Sequence, residues 1–165
     1  MEAFRASLVG KDPAALIFLD EAGIDDTETR LSGYSPRGQR CPDTRPGHRS
    51  VRVNMLAALR QNDIIAPFTF EGYTNRLLFE AWFERHLCPC LRPGDTVILD
   101  NASFHKSDKI YLLAAQRGAS ILFLPPYSPD ENHIECHWPA IKTRIRKNAD
   151  IFYHFRDAVD HAFSL

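Results

Sequence analysis

The chain has 165 residues, 44% of them hydrophobic, four cysteines and a net charge of −1. That length suits one compact domain (1–165) with a real core and is short for two; no apolar run is long enough to span a bilayer. Four cysteines without a signal peptide exclude a disulfide-stapled secreted scaffold and make the cytoplasm the expected compartment.

Residues 1–12 read as the tail of a helix with Phe4 and Leu8 on one face, and they leave no room for a separate amino-terminal domain. Residues 15–19 form an apolar strand that ends on Asp20-Glu21. Residues 29–40 are turn-rich, and 42–48 read as a loop. Residues 51–59 and 64–70, separated by Gln61-Asn62-Asp63, are expected to pair as an antiparallel hairpin. Asn75 can cap a helix whose apolar stripe is Leu78, Trp82, Phe83 and Leu87. Pro93-Gly94-Asp95 then turns the chain into Val97-Ile98-Leu99, a short buried strand that stops abruptly at Asp100. Residues 106–117 read as a helix, 121–124 as a strand, and 125–129 as a rigid Pro-rich loop.

Beyond that loop Asn132 can cap a helix with Glu135 three residues on and a buried stripe of Ile134, Trp138, Ile141 and Ile145. Lys142 and Arg146 fall beside the stripe, as does Glu135, and Pro139 should kink the helix. A last helix from Ile151 places Phe152, Phe155, Val159 and Phe163 inward. Five strands interleaved with helices make an α/β chain with a mixed five-stranded sheet flanked by helices.

Two acid-tipped strands suggest parallel neighbours, which lie about 4.8 Å apart, so their terminal carboxylates can share a cation or hold two cations about 4 Å apart. Hard Mg²⁺ prefers oxygen ligands and keeps several waters, so a sparse set of carboxylates supplemented by substrate phosphate suffices. Ligands also favour strand ends in open α/β sheets. One strand-end aspartate alone reads more simply as a cap or turn residue. Three placed acids, Asp20, Asp100 and Glu135, point instead to metal-dependent phosphoryl transfer.

These residues carry a resemblance to a known family. Phe18-Leu19-Asp20-Glu21, the run from Gly33 through Tyr34, Ser35, Pro36, Arg37, Gly38 and Gln39 to Arg40, Leu99-Asp100-Asn101 followed by His105-Lys106, and the run from Leu124 to Asp130 leading to Ile134-Glu135 resemble the DDE transposases. Within them the likeness is to bacterial insertion-sequence enzymes of the mariner-related superfamily, and 34 residues separate Asp100 from Glu135, the spacing that branch implies. The resemblance implies a ribonuclease-H-like fold, with Asp20, Asp100 and Glu135 as the catalytic, metal-binding acids for Mg²⁺ or Mn²⁺, two ions in all. It also implies DNA as partner, both transposon ends and TA-containing target, and a homodimer in the active complex. The chain departs from the family pattern where Glu131 and His133 flank Asn132. The family's helix-turn-helix modules have no counterpart in the chain, which is expected to be the catalytic half, from a second reading frame or a truncated copy, working with an upstream-encoded DNA-binding polypeptide.

Candidate DNA contacts come from two basic groups. Residues 37–52 hold Arg37, Arg40, Arg45, Arg49 and Arg52 against a single acid, and suit DNA phosphates or a solvated loop surface equally. Lys142 and Arg146 lie on the side of Glu135. His105 and Lys106 follow Asp100 closely, and His105 is open to two readings, a phosphate contact or a helix-start surface histidine. Cys88-Pro89-Cys90 with Cys136-His137 lacks zinc spacing, having one residue between the first pair, so reduced thiols and no structural zinc are expected. Three functions compete: strand transfer, simple metal-dependent nuclease activity on the same fold, and a catalytically inactive remnant that binds DNA or a full-length transposase.

Overall fold

The computed structural model describes residues 2–28, 35–40, 51–126 and 128–164. A short helix α1 (Glu2–Leu8) leads through a 3₁₀ turn at Pro13–Ala15 into β1 (Leu16–Asp25). The hairpin follows as β2 (Arg52–Arg60) and β3 (Asp63–Glu71), with Arg60 opposite Asp63 and a two-residue turn whose Gln61 carries the positive φ, 56°, that such a connection favours. Helix α2 (Arg76–Trp82), strand β4 (Thr96–Leu99), helix α3 (Asp108–Gln116) and strand β5 (Ser120–Phe123) come next, then α4 (Trp138–Asn148) and α5 (Phe155–His161). The sheet order is β3-β2-β1-β4-β5. Its first three strands run antiparallel and β1, β4 and β5 run parallel, the mixed five-stranded arrangement expected.

Alternation along β1 divides the core. Ile17 and Leu19 face one layer with Phe79, Trp82, Phe83 and Ile110 from α2, its extension and α3. Phe18 and Ile24 face the other, with Phe4 of α1, Trp138, Ile141 and Ile145 of α4, and Val159 of α5. Asp20 shares the parity of Phe18 and so belongs to the α4 side. Both layers are apolar and both faces of the central strands are covered, which is why β2 is buried from Val53 to Arg60 rather than alternating.

Several boundaries differ from the sequence expectation. β1 does not end at Asp20 but runs on to Asp25, because antiparallel pairing with β2 continues through Asp20–Ala57 to Asp25–Arg52 after the parallel ladder with β4 has stopped. In the helix after Asn75, whose Oδ1 accepts the Leu78 N–H at 2.9 Å, Phe79 is buried and Leu78 only half-buried; the helix widens into a π turn over Phe83–Leu87. α3 starts at Asp108 rather than Lys106, since Ser107 is its cap and a 3₁₀ turn occupies Ser103–His105.

The helix after the Pro-rich loop starts at Trp138, not Asn132. Residues His133–Cys136 wind as a 3₁₀ turn, and Pro139 sits in the first turn of α4, where its missing N–H costs nothing and no kink is needed. The last helix likewise begins at Phe155, leaving Ile151 exposed. Residues 29–34 and 41–50, including Arg45 and Arg49, lie outside the described residues. Cys88, Cys90 and Cys136 carry free thiols. Among the described residues, no helix is long and apolar enough to cross a membrane.

Candidate active site

Parallel pairing aligns Leu16 with Thr96, Ile17 with Val97 and Phe18 with Ile98. Continued by one side-chain period of two residues, that register brings Asp20 and Asp100 side by side on the α4 face. Asp20 is still inside β1, whereas Asp100 is the first residue past β4, so one acid is held by a strand and the other by a strand end. Glu135 comes from the 3₁₀ turn that precedes α4. All three line one cleft of about 270 Å³, walled by Leu124, Pro125 and Pro126 on one side and by Asn132 on another. Among its described lining residues there is no lysine or arginine.

The two aspartates sit in opposite environments. Asp20 is mostly buried, and its Oδ2 accepts the Trp138 indole N–H at 3.0 Å. Burial is the main reason its carboxyl is pushed up to about 7; the Trp138 hydrogen bond works against the rise, and the nearby charges of Glu135 and Asp100 add to it. Repulsion among the acids is thus the smaller contribution. Asp100 is half exposed, and its Oδ1 accepts from His105 Nδ1 at 2.5 Å and from the Ala102 N–H at 3.1 Å. The His105 hydrogen bond chiefly holds the Asp100 carboxyl below the usual carboxylate range. Neighbouring acids pushed apart in this way make the cleft a candidate functional site.

The sequence makes Asn132 a helix cap and Trp138 a core residue; the Asn132 side chain instead makes no cap hydrogen bond, and Trp138 does more than pack. Asn132 is buried and its Nδ2 donates to the Leu19 carbonyl at 3.2 Å, tying the loop that bears Glu135 to the strand residue before Asp20. Trp138 packs in the core and also holds Asp20. Neither role has a local signal, because the partners are 113 and 118 residues apart. Glu131, one turn from Glu135, is engaged by Arg5 of α1, whose Nε and Nη2 donate to Oε1 at 2.9 and 2.5 Å.

The basic candidates scatter. Arg37 and Arg40 are exposed, Lys106 is exposed, and Lys142 is half-buried on α4. Arg146 donates to Glu28 at 2.8 Å, and Arg52 pairs with Asp25 at 3.4 Å, so both are engaged within the protein. His105 is neither a surface nor a helix-start residue. It is buried against Phe79 and Phe104 and turned to Asp100.

Among the described residues, no group of three or more His, Cys, Asp and Glu side chains is close enough to hold a metal ion. The three acids line one cleft without closing on a point. Their donor set nonetheless fits a hard divalent cation: it is all oxygen, and the cleft is open to waters and substrate oxygens that complete the coordination of such ions.

A mixed five-stranded sheet in this order, flanked by helices, defines a fold of the ribonuclease-H-like class, here with two acids from parallel strands beside a third on a following turn. The model of the DDE superfamily endonucleases matches residues 15–154, and the chain belongs to that family. No curated protein matches it. Among solved structures it is similar to the Mos1 transposase paired-end complex with left transposon end, at 18% identity and a TM-score of 0.62, covering 84% of this chain and 44% of that one. The Mos1 strand transfer complex matches at 19% identity and a TM-score of 0.59, covering 84% and 43%. The Mos1 mariner paired end complex with Mn matches at 16% identity and a TM-score of 0.59, covering 84% and 45%. The chain therefore spans under half the length of these relatives, and the likeness establishes the fold.

Proposed function

We propose that the chain is the catalytic domain of a bacterial DNA transposase, which hydrolyses phosphodiester bonds at element ends and joins the freed 3′ ends to target DNA. The observation that carries this reading is the placement of Asp20, Asp100 and Glu135 in one cleft, within a chain of the DDE family. In this reading Asp20, Asp100 and Glu135 hold Mg²⁺ or Mn²⁺, two ions at work. Bound there, the cations supply a lowered pKa for the attacking water or hydroxyl and charge neutralisation at the leaving oxygen.

The chain's own residues prepare that site. Trp138 orients the Asp20 carboxylate, Asn132 fastens the Glu135 loop to β1, and the Leu124–Pro126 wall shields one side of the cleft. No histidine acts as base and no covalent protein–DNA bond forms. Arg37, Arg40, Arg49, Lys106 and Lys142 serve as phosphate contacts; Arg146, engaged by Glu28, braces α4 against the segment after β1. Base recognition belongs to an upstream-encoded DNA-binding polypeptide, and the active complex is a homodimer at the nucleoid in the cytoplasm. The Mos1 complexes with transposon ends and in the strand transfer state support DNA as the substrate.

A strand-transfer assay tests the reading. Labelled element-end duplex, target DNA, Mg²⁺ and any end-binding polypeptide are incubated with wild type and with Asp100→Ala. A transposase yields joined DNA, a plain nuclease yields cleavage alone, and an inert remnant yields neither. Asp100→Ala should lose cleavage and joining together while binding DNA almost normally; activity in that variant, or in chelator, would refute the assignment.

A further inference from the structure

His105 is 3% exposed, with its ring centroid 4.3 Å from that of Phe79 and 4.2 Å from that of Phe104. Among the described residues the ring's one hydrogen bond is from Nδ1 to Asp100 Oδ1, at 2.5 Å, while the buried Nε2 has no partner. Burying an imidazole in an aromatic pocket with one nitrogen unsatisfied is costly, so the contact to Asp100 stands out as what the residue is there to make. An ionised carboxylate only accepts, which places the proton on Nδ1. The same Oδ1 takes the Ala102 N–H, and Oδ2 has no protein donor among the described residues, although the Asp100 side chain lines the cleft.

We infer that His105 is a positioning residue: its Nδ1–H and the Ala102 N–H lock Oδ1, fixing the Asp100 carboxylate so that Oδ2 is the oxygen presented to the divalent cation. The inference rests on the reading of Asp100 as a metal ligand. A carboxylate terminus otherwise rotates broadly. Locking one oxygen removes that freedom before the ion arrives, and hydrogen-bonded partners of this kind typically govern metal affinity by about 10- to 100-fold.

The test is a Mn²⁺ titration of the full chain, followed by the EPR signal of the free ion, for wild type, His105→Leu, His105→Gln, His105→Asn and Asp100→Asn. An asparagine amide nitrogen falls where Nδ1 lies, whereas a glutamine amide reaches toward Nε2. His105→Leu and His105→Gln should weaken Mn²⁺ binding about tenfold or more, and His105→Asn should stay within about threefold of wild type. Wild-type affinity in the Leu and Gln variants, or equal losses in Gln and Asn, would overturn the positioning role. If Leu does not fold, by its circular dichroism melt, the comparison of Gln with Asn decides alone. Asp100→Asn separates the two layers of the argument. If it binds Mn²⁺ like wild type, or if wild type binds none, the metal-ligand reading falls and the positioning role with it. If Asp100→Asn loses binding while the His105 variants keep it, only the positioning role falls.

Discussion

Replacing Asp20 with Asn should make the metal-free protein more stable, by an amount that grows with pH. In the folded chain the Asp20 carboxyl is held at about 7, mainly by burial, against an ordinary value of 3.8 that applies when the chain unfolds. Because the folded value is the higher one, the stability conferred by the protonated form is complete below about pH 4 and is lost as the pH rises through about 7. The gap between the two values corresponds to about 4 kcal/mol above pH 7, part of it shared with Glu135 and Asp100. Asparagine has nearly the same shape, its Oδ1 can accept the Trp138 N–H, and it carries no charge to desolvate. Its advantage over wild type should widen by about 2 kcal/mol between pH 5 and pH 8. Urea unfolding in chelator, followed by the fluorescence of Trp82 and Trp138, measures this at both pH values. Saturating Mg²⁺ should raise wild-type stability at pH 8 and leave the variant almost unmoved. A stability gap that is the same at pH 5 and pH 8 would refute the claim that a buried charge is the source of the strain.

Glu135→Ala should lose cleavage activity without rescue from Glu131, because Arg5 already engages that carboxylate; residual activity that disappears on further mutation of Glu131 would contradict this. DNA binding by the chain alone should be weak, salt-sensitive and nearly sequence-blind, since its basic residues can reach phosphates but read no bases; titration of element-end and scrambled duplexes at two salt concentrations checks it, and a strong preference for element ends at physiological salt would count against it. Arg60→Leu should cost about 3 kcal/mol in urea unfolding, because it strands the buried Asp95 carboxylate that Arg60 Nη2 meets at 2.5 Å. A loss well under about 1 kcal/mol would mean that the backbone N–H of Arg92, 2.7 Å from the same oxygen, suffices alone.

The five strands, their mixed pairing and the candidacy of the three acids were legible in the sequence, though not the full reach of β1. Short apolar runs that stop at Asp20-Glu21 and Asp100 are local patterns, legible because a strand buried on both faces tolerates a carboxylate only where it meets solvent or a ligand. The spacing from Asp100 to Glu135 and the Pro-rich run before it are equally local. Helix starts were less legible. Asn132 has the chemistry of a cap, and only the fold shows its amide spent on the Leu19 carbonyl, with α4 deferred to Trp138.

Tertiary structure alone decided how the acids are held. The continuation of β1 past Asp20 depends on β2, which pairs with it all the way to Asp25; nothing in residues 15–25 specifies that. Trp138 looks like any apolar-face tryptophan until its indole N–H is seen 3.0 Å from Asp20. His105 carries no sign of burial in its own neighbourhood, and its place against Phe79 comes from α2 packing on the 3₁₀ turn Ser103–His105. Desolvation by side chains from other elements pushes the Asp20 carboxyl up, while Asp100 is held low by His105, near in sequence but turned to it inside a pocket that Phe79 of α2 completes. Those are properties of packing, and a linear pattern records which groups are available but not which of them the fold buries together.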